Sequence, residues 1–172
     1  MTKPQFISAC YAAAVAACAG TPIFVEVLLA EGAMESEWGE SWLTKEANNW
    51  HGIKSTPSWE AAGGKYVTKK TYEWTTDPNK GDKPLVSKTD KGVTKYRYTI
   101  EARFRQYDNI AKAFENYVHF VTQPGYVACG VTTAKTPEEQ IKCIGEKYAT
   151  GPQYAELITQ IIHGLRPFIP TA

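Results

Sequence analysis

The stretch "AMESEWGESW", Ala33–Trp42, sets Glu35, Glu37 and Glu40 among Trp38, Gly39 and Trp42. Which of these glutamates faces water decides how the chain reads. Upstream, Thr21 suits an N-cap and Pro22 a first helical position. They predict a helix that runs to about Glu37 and stops near Gly39. At 100° per residue, Glu35 falls in line with Leu28 and Phe24, beside Glu31 and Trp38. Glu26 and Glu37 fall on the opposite, solvated side. Glu35 is thus expected on the apolar face, near the helix C-terminus. Desolvation, the neighbouring Glu31 and the partial negative charge of the helix end all favour its protonated form. A carboxyl that keeps its proton near neutral pH can protonate a leaving group. The competing reading is a glutamate paired with a buried Lys or Arg.

Working outward, helical patterning surrounds a β-patterned middle. "KYVTKKTYEW" places Tyr66, Thr68, Lys70, Tyr72 and Trp74 on one face and Val67, Thr71 and Glu73 on the other. "VTKYRYTIEARF" alternates likewise, and the turn-rich "TDPNKGDKP" lies between them. Together they predict an antiparallel hairpin or small sheet. Ile110, Ala113, Phe114, Tyr117, Val118 and Val121 make a helical stripe. "TPEE", Thr136–Glu139, reads as a capping box. Gly151 and Pro152 separate that helix from a last one carrying Tyr154, Leu157, Ile158, Ile161 and Leu165. The expected fold class is α+β in a single domain, 1–172: a mostly helical body, 4–54 and 106–168, with a small antiparallel β lobe at about 55–105.

The 172 residues suffice for one core with a concave site. A net charge of +1 gives no case for nucleic acid or an anionic membrane. The Ala-rich run Phe6–Ala19 reads as a packed helix opened by Pro4, with Gly20 after its end, in preference to a signal peptide. It is too short to insert across a bilayer. Cys10 and Cys18 would lie about 12 Å apart on one helix, beyond bridging distance. A disulfide would therefore involve Cys129 or Cys143, and free buried thiols are the alternative. No Cys/His spacing suits a metal.

Several short motifs, in order, resemble glycoside hydrolase family 73, the peptidoglycan β-N-acetylglucosaminidases. They are "AMESEWGES", "NNWHGIK" (Asn48–Lys54), "TYE" (Thr71–Glu73), "FRQY" (Phe104–Tyr107), "PGY" ending at Tyr126, and "YATGPQY" (Tyr148–Tyr154). The resemblance implies a lysozyme-like fold with a cleft between body and lobe. It implies Glu35 as general acid, Glu73 as a second carboxylate and Tyr148 at the catalytic centre. Asn49, Trp50, Trp38 and Tyr126 would border the sugar groove. His51 would either line that groove or serve as a local hydrogen-bonding residue. Glu31 stands where glutamine is common in the family, and would tune Glu35 or form a structural pair.

The implied reaction is hydrolysis of the β-1,4 bond between N-acetylglucosamine and N-acetylmuramic acid, with no metal or cofactor. The alternatives are a lytic transglycosylase and a catalytically inactive glycan-binding module. The expected place of action is the periplasm or cell wall, reached through a dedicated secretion machine or by lysis. That context suggests either an interbacterial toxin of type VI kind, with an immunity protein blocking its cleft, or a phage endolysin. A Cys129–Cys143 bridge in an oxidising periplasm would favour the toxin.

Overall fold

The computed structural model describes residues 1–79, 86–90, 92–148 and 153–170. The chain divides into a helical unit, Met1–Ile53 with Gln106–Ala172, and a sheet unit, Lys54–Arg105.

In the helical unit, α1 (Lys3–Cys18) begins with a reciprocal capping box between Thr2 and Gln5, with Pro4 in its first turn. Helix α2 (Val25–Glu35) lies at the centre, packed by α1, α5 (Ile110–Val121), α7 (Pro137–Tyr148) and α8 (Tyr154–Leu165). Every residue from Val27 to Ala33 is buried. A helix packed by four others needs little polar face, so its middle, Val27–Ala30, is apolar and Glu31 is the one charged residue among its buried positions. Helix α3 (Trp42–Ala47) is capped by Ser41, whose hydroxyl accepts from the Thr44 N–H.

Helix α2 starts later than Thr21 and Pro22 suggest. The Thr21 hydroxyl instead donates to Cys18 O at 2.8 Å and accepts from Ile23 N at 3.2 Å. The Phe24 N–H goes to Gln140 Oε1 at 2.9 Å, and the Gln140 amide donates to Pro22 O and Val131 O. This buried glutamine of α7 satisfies the 22–24 segment in an extended form, so the helix cannot begin there. Glu26, expected in solvent, is partly covered and pairs with Arg166 at 2.7 Å. All four cysteines are free thiols, so the suggested Cys129–Cys143 bridge is not formed. Among the described residues no helix is long and apolar enough to cross a membrane.

The sheet unit opens with α4 (Pro57–Ala61) and holds three antiparallel strands, β1 (Tyr66–Thr75), β2 (Val86–Asp90) and β3 (Val93–Arg105), in the order β1-β3-β2. β3 pairs with β1 from Tyr66↔Arg105 to Thr75↔Tyr96, and with β2 from Val86↔Arg97 to Asp90↔Val93. The alternation expected for β1 is present: Tyr66, Tyr72 and Trp74 are exposed, while Val67, Thr71 and Glu73 are partly covered. Residues 80–85 of the expected turn lie outside the described residues.

Candidate active site

The C-terminal half of α2 sets Glu31 and Glu35 four residues apart, on one face of the helix. Glu31 is completely buried. Its Oε1 accepts the Tyr154 hydroxyl at 2.6 Å, from the first residue of α8, while its Oε2 has no partner. Burial pushes the Glu31 carboxyl up to about 8; the charge of Glu35 adds to the rise and the Tyr154 hydroxyl opposes it. At neutral pH Glu31 is therefore predominantly the neutral acid, and Oε2 is the oxygen available to hold the proton. Tyr126, from the short helix α6 (Pro124–Val127), completes the cluster. Burial, and then the charge of Glu31, push its phenol up to about 12.

Glu35 is the last residue of α2 and only half-buried, so it is the glutamate of the pair within reach of solvent. Burial raises its carboxyl above the usual range, and the Tyr154 hydroxyl partly offsets this. Neither Glu31 nor Glu35 pairs with a Lys or Arg among the described residues, so the ion-pair reading of Glu35 does not hold. The pair consists of two carboxyls, one dry and accepting the Tyr154 hydroxyl, the other half-wet with that hydroxyl near enough to lower it.

The backbone beyond Glu35 is unusual. Glu37, Trp38 and Gly39 are all left-handed, with φ of 52°, 58° and 81°. For non-glycine residues this conformation costs about 1–2 kcal/mol each. It is held by Trp38 N to Ala33 O at 2.8 Å, Gly39 N to the buried Ser36 Oγ at 2.7 Å, and Ser41 N to Ser36 O at 2.8 Å. The half-buried Trp38 ring meets Phe6 edge-on at 5.5 Å. Ser36 thus fixes the turn that ends the helix directly after the acid.

The segment Asn48–Ile53 lies beside this turn. Asn49 exchanges two hydrogen bonds with the Ile53 backbone, Nδ2 to O at 2.9 Å and N to Oδ1 at 3.0 Å, and closes the loop on itself. Trp50 packs edge-on against Phe6 and Phe114. His51 stacks on Tyr117 with ring centroids 4.0 Å apart, and its Nε2 meets Leu28 O at 3.2 Å. A carbonyl can only accept, so Nε2 carries the hydrogen. Burial lowers His51 to about 3, which keeps it neutral. A Cβ at Gly32 would sit 3.3 Å from that nitrogen, so α2 leaves room for the ring by omitting a side chain.

These contacts turn the side chains of this segment into the helical unit, and for His51 they are those of the local hydrogen-bonding alternative. Asn49, Trp50 and His51 are 1%, 8% and 1% exposed. They anchor the loop in the core. The anchoring brings Gly52 (φ +63°) to Glu35, where a Cβ would lie 3.6 Å from Oε2. Of the expected binding residues, Trp38 and Tyr126 keep partial exposure in the helical unit.

Glu73 lies on β1 within the sheet unit, ion-paired to Lys54, on the face opposite Tyr72 and Trp74. Tyr148 closes α7, and its side chain and residues 149–152 lie outside the described residues. Among the described residues no cluster of His, Cys, Asp or Glu could hold a metal. Sequence reasoning missed Tyr154. Its signal was its place at the end of "YATGPQY", at the start of an amphipathic helix.

Residues 11–166 match the glucosaminidase family, described as mannosyl-glycoprotein endo-beta-N-acetylglucosaminidase. The chain is 32% identical over 146 residues to the peptidoglycan hydrolase FlgJ of Salmonella typhimurium; the match covers 81% of this chain and 39% of that protein. Among solved structures, the catalytic domain of the autolysin Auto from Listeria monocytogenes superposes with a TM-score of 0.74 at 25% identity, covering 96% of this chain and 86% of that one. A type VI secretion effector–immunity complex from Pseudomonas protegens shares the fold with a TM-score of 0.62, covering 98% of this chain and 94% of that one. At 14% identity, that likeness is one of fold alone.

Proposed function

The chain belongs to the glucosaminidase family, glycoside hydrolase family 73, and on that premise we propose that it hydrolyses peptidoglycan glycan strands at the β-1,4 bond on the reducing side of N-acetylglucosamine. The observation that carries the reading is the Glu31–Tyr154–Glu35 arrangement, a half-buried acid beside a fully buried neutral one. Glu35 gives its proton to the glycosidic oxygen as the bond to the sugar C1 breaks. The carboxylate left behind has a neutral Glu31 one turn away and the Tyr154 hydroxyl to support its charge. Glu73 supplies the second carboxylate, either by activating the water that adds to C1 or by stabilising the oxocarbenium-like charge. Tyr148 is assigned to the catalytic centre by its place in the family's closing motif, and Trp38 and Tyr126 to the border of the sugar.

The site of action in this proposal is the cell wall or periplasm. The proposal extends to use against rival bacteria, with an inhibitor protein over Glu35 in the producing cell. That extension is supported only by the fold shared with the secretion effector. Co-purification of the chain with a small neighbouring gene product, lost on Glu35-face substitutions, would test it.

Mass spectrometry of soluble products from purified sacculi tests the reaction. Reducing N-acetylglucosamine ends are expected. Reducing N-acetylmuramic acid ends would mean the other glycosidic bond is cut, anhydro ends would mean transglycosylation, and no product at all would leave a binding module.

A further inference from the structure

The overall charge of +1 averages two opposite halves. The sheet unit, Lys54–Arg105, holds twelve Lys and Arg against six Asp and Glu, a net of +6. The rest of the chain holds seven against twelve, a net of −5. The low total therefore hides a strongly cationic unit, and the exclusion of anionic partners drawn from it does not apply there.

Strand register concentrates this charge on one face, the one opposite Glu73. Tyr66, Lys70, Tyr72 and Trp74 of β1 share it with Arg97 and Arg103 of β3, and the exposed pair Lys88↔Lys95 extends it across β2. Glu101 is the only acid whose side chain is described on this face of the three strands. Tyr66, Tyr72 and Trp74 are 40%, 57% and 47% exposed. Three large rings left in water along one strand are poor core design and typical of a contact surface.

The rings and cations are also organised together. The Arg97 guanidinium lies over Tyr72 at 4.8 Å and nearer the edge of Trp74's reach at 5.9 Å, and Arg103 lies over Tyr66 at 4.7 Å. Arg103 already gives Nη1 to Glu60 Oε2 at 2.7 Å, so Arg97 is the arginine of this face whose N–H groups suit an incoming carboxylate, held over its ring by the cation–π contact. Tyr72 and Trp74, two residues apart, rise about 7 Å along the strand. That suits the apolar faces of adjoining sugar rings beside the charged groups.

We propose that this face of the sheet is an accessory binding surface for a carboxylate-bearing glycan, and specifically for a peptide-substituted strand of the wall. The proposal rests on the peptidoglycan reading above. The exposed rings beside the cations favour a glycan over duplex nucleic acid, whose phosphates need cations but no stacking surface.

The test uses the full chain carrying Glu35→Gln, so that substrate is bound without being cut. Binding to purified sacculi is read by co-sedimentation across a salt series. Two further variants on that background are compared: Tyr72→Ala with Trp74→Ala, and Lys70→Glu with Lys88→Glu and Lys95→Glu. Each set is expected to weaken retention roughly tenfold, about 1.4 kcal/mol, with circular dichroism unchanged. Amidating the carboxyls of the sacculi should do the same. With Glu35 restored, both sets should cleave short, peptide-free soluble glycan as the parent does. Undiminished retention of both sets would overturn the proposal. So would loss in the charge set alone with full competition by duplex DNA, which would mean unspecific attraction of polyanions. Failure of the parent to cleave soluble glycan would instead count against the hydrolase reading, while the binding comparison would still report on the face.

Discussion

Tyr154 donates its hydroxyl to Glu31 at 2.6 Å, joining the first turn of α8 to the core of α2 across 123 residues of chain. This contact ties the acidity of two glutamates to the packing of two helices. The burial that raises Glu31 continues along the same helix face to Glu35, whose carboxyl it also raises.

Stability should therefore fall as pH rises through the neutral range. Glu31 moves from an ordinary value of 4.5 to about 8 on folding. Between those values the folded chain keeps a proton that the unfolded chain releases. The contribution is complete below pH 4.5 and is lost by about pH 8, with a slope of at most about 1.4 kcal/mol per pH unit. Glu31→Gln keeps the neutral shape and an acceptor for Tyr154. Its melting temperature should match wild type near pH 5 and exceed it near pH 8; parallel melting curves would contradict the burial argument.

Tyr154→Phe removes the one hydrogen bond to Glu31 and leaves a second buried oxygen unpartnered. A loss of about 1–3 kcal/mol is expected in denaturant unfolding. The hydroxyl lowers both Glu31 and Glu35, so its loss should move the alkaline limb of the activity profile to higher pH. A limb that stays in place would separate Tyr154 from the acid.

Gly52→Ala forces a side chain into φ +63° beside Glu35. The cost should be about 1–2 kcal/mol in stability, accompanied by lower turnover as the loop shifts against the carboxyl. Gly63→Ala has a similar φ, +81°, and open space around its Cβ. It should cost similar stability and leave turnover intact. Equal turnover in the two variants would mean that Gly52 does not position Glu35.

Much of this site is legible in the sequence, and what is not has physical causes. Periodicity selects Glu35, because a wheel reports direction. It does not report depth, so the complete burial of Glu31 within four packed helices is invisible to it. Thr21 and Pro22 have the right chemistry for a helix start, but an amide 116 residues away satisfies Phe24 first. Asn49, Trp50 and His51 have the composition of a sugar groove, and only the tertiary contacts with Phe6, Phe114 and Tyr117 reveal a loop folded inward. The alternation of β1 marks its two faces. β2 is short and escapes notice until it pairs with β3.

The most direct test of the central claim is turnover of purified sacculi by wild type and Glu35→Gln at pH 6, both shown folded by circular dichroism. The amide keeps the shape and polarity of the carboxyl but has no proton to give. A loss of at least about 100-fold is predicted for removal of a general acid. Activity within a few-fold of wild type would mean that the proton comes from another group, and Glu35 would lose its place at the centre of the mechanism.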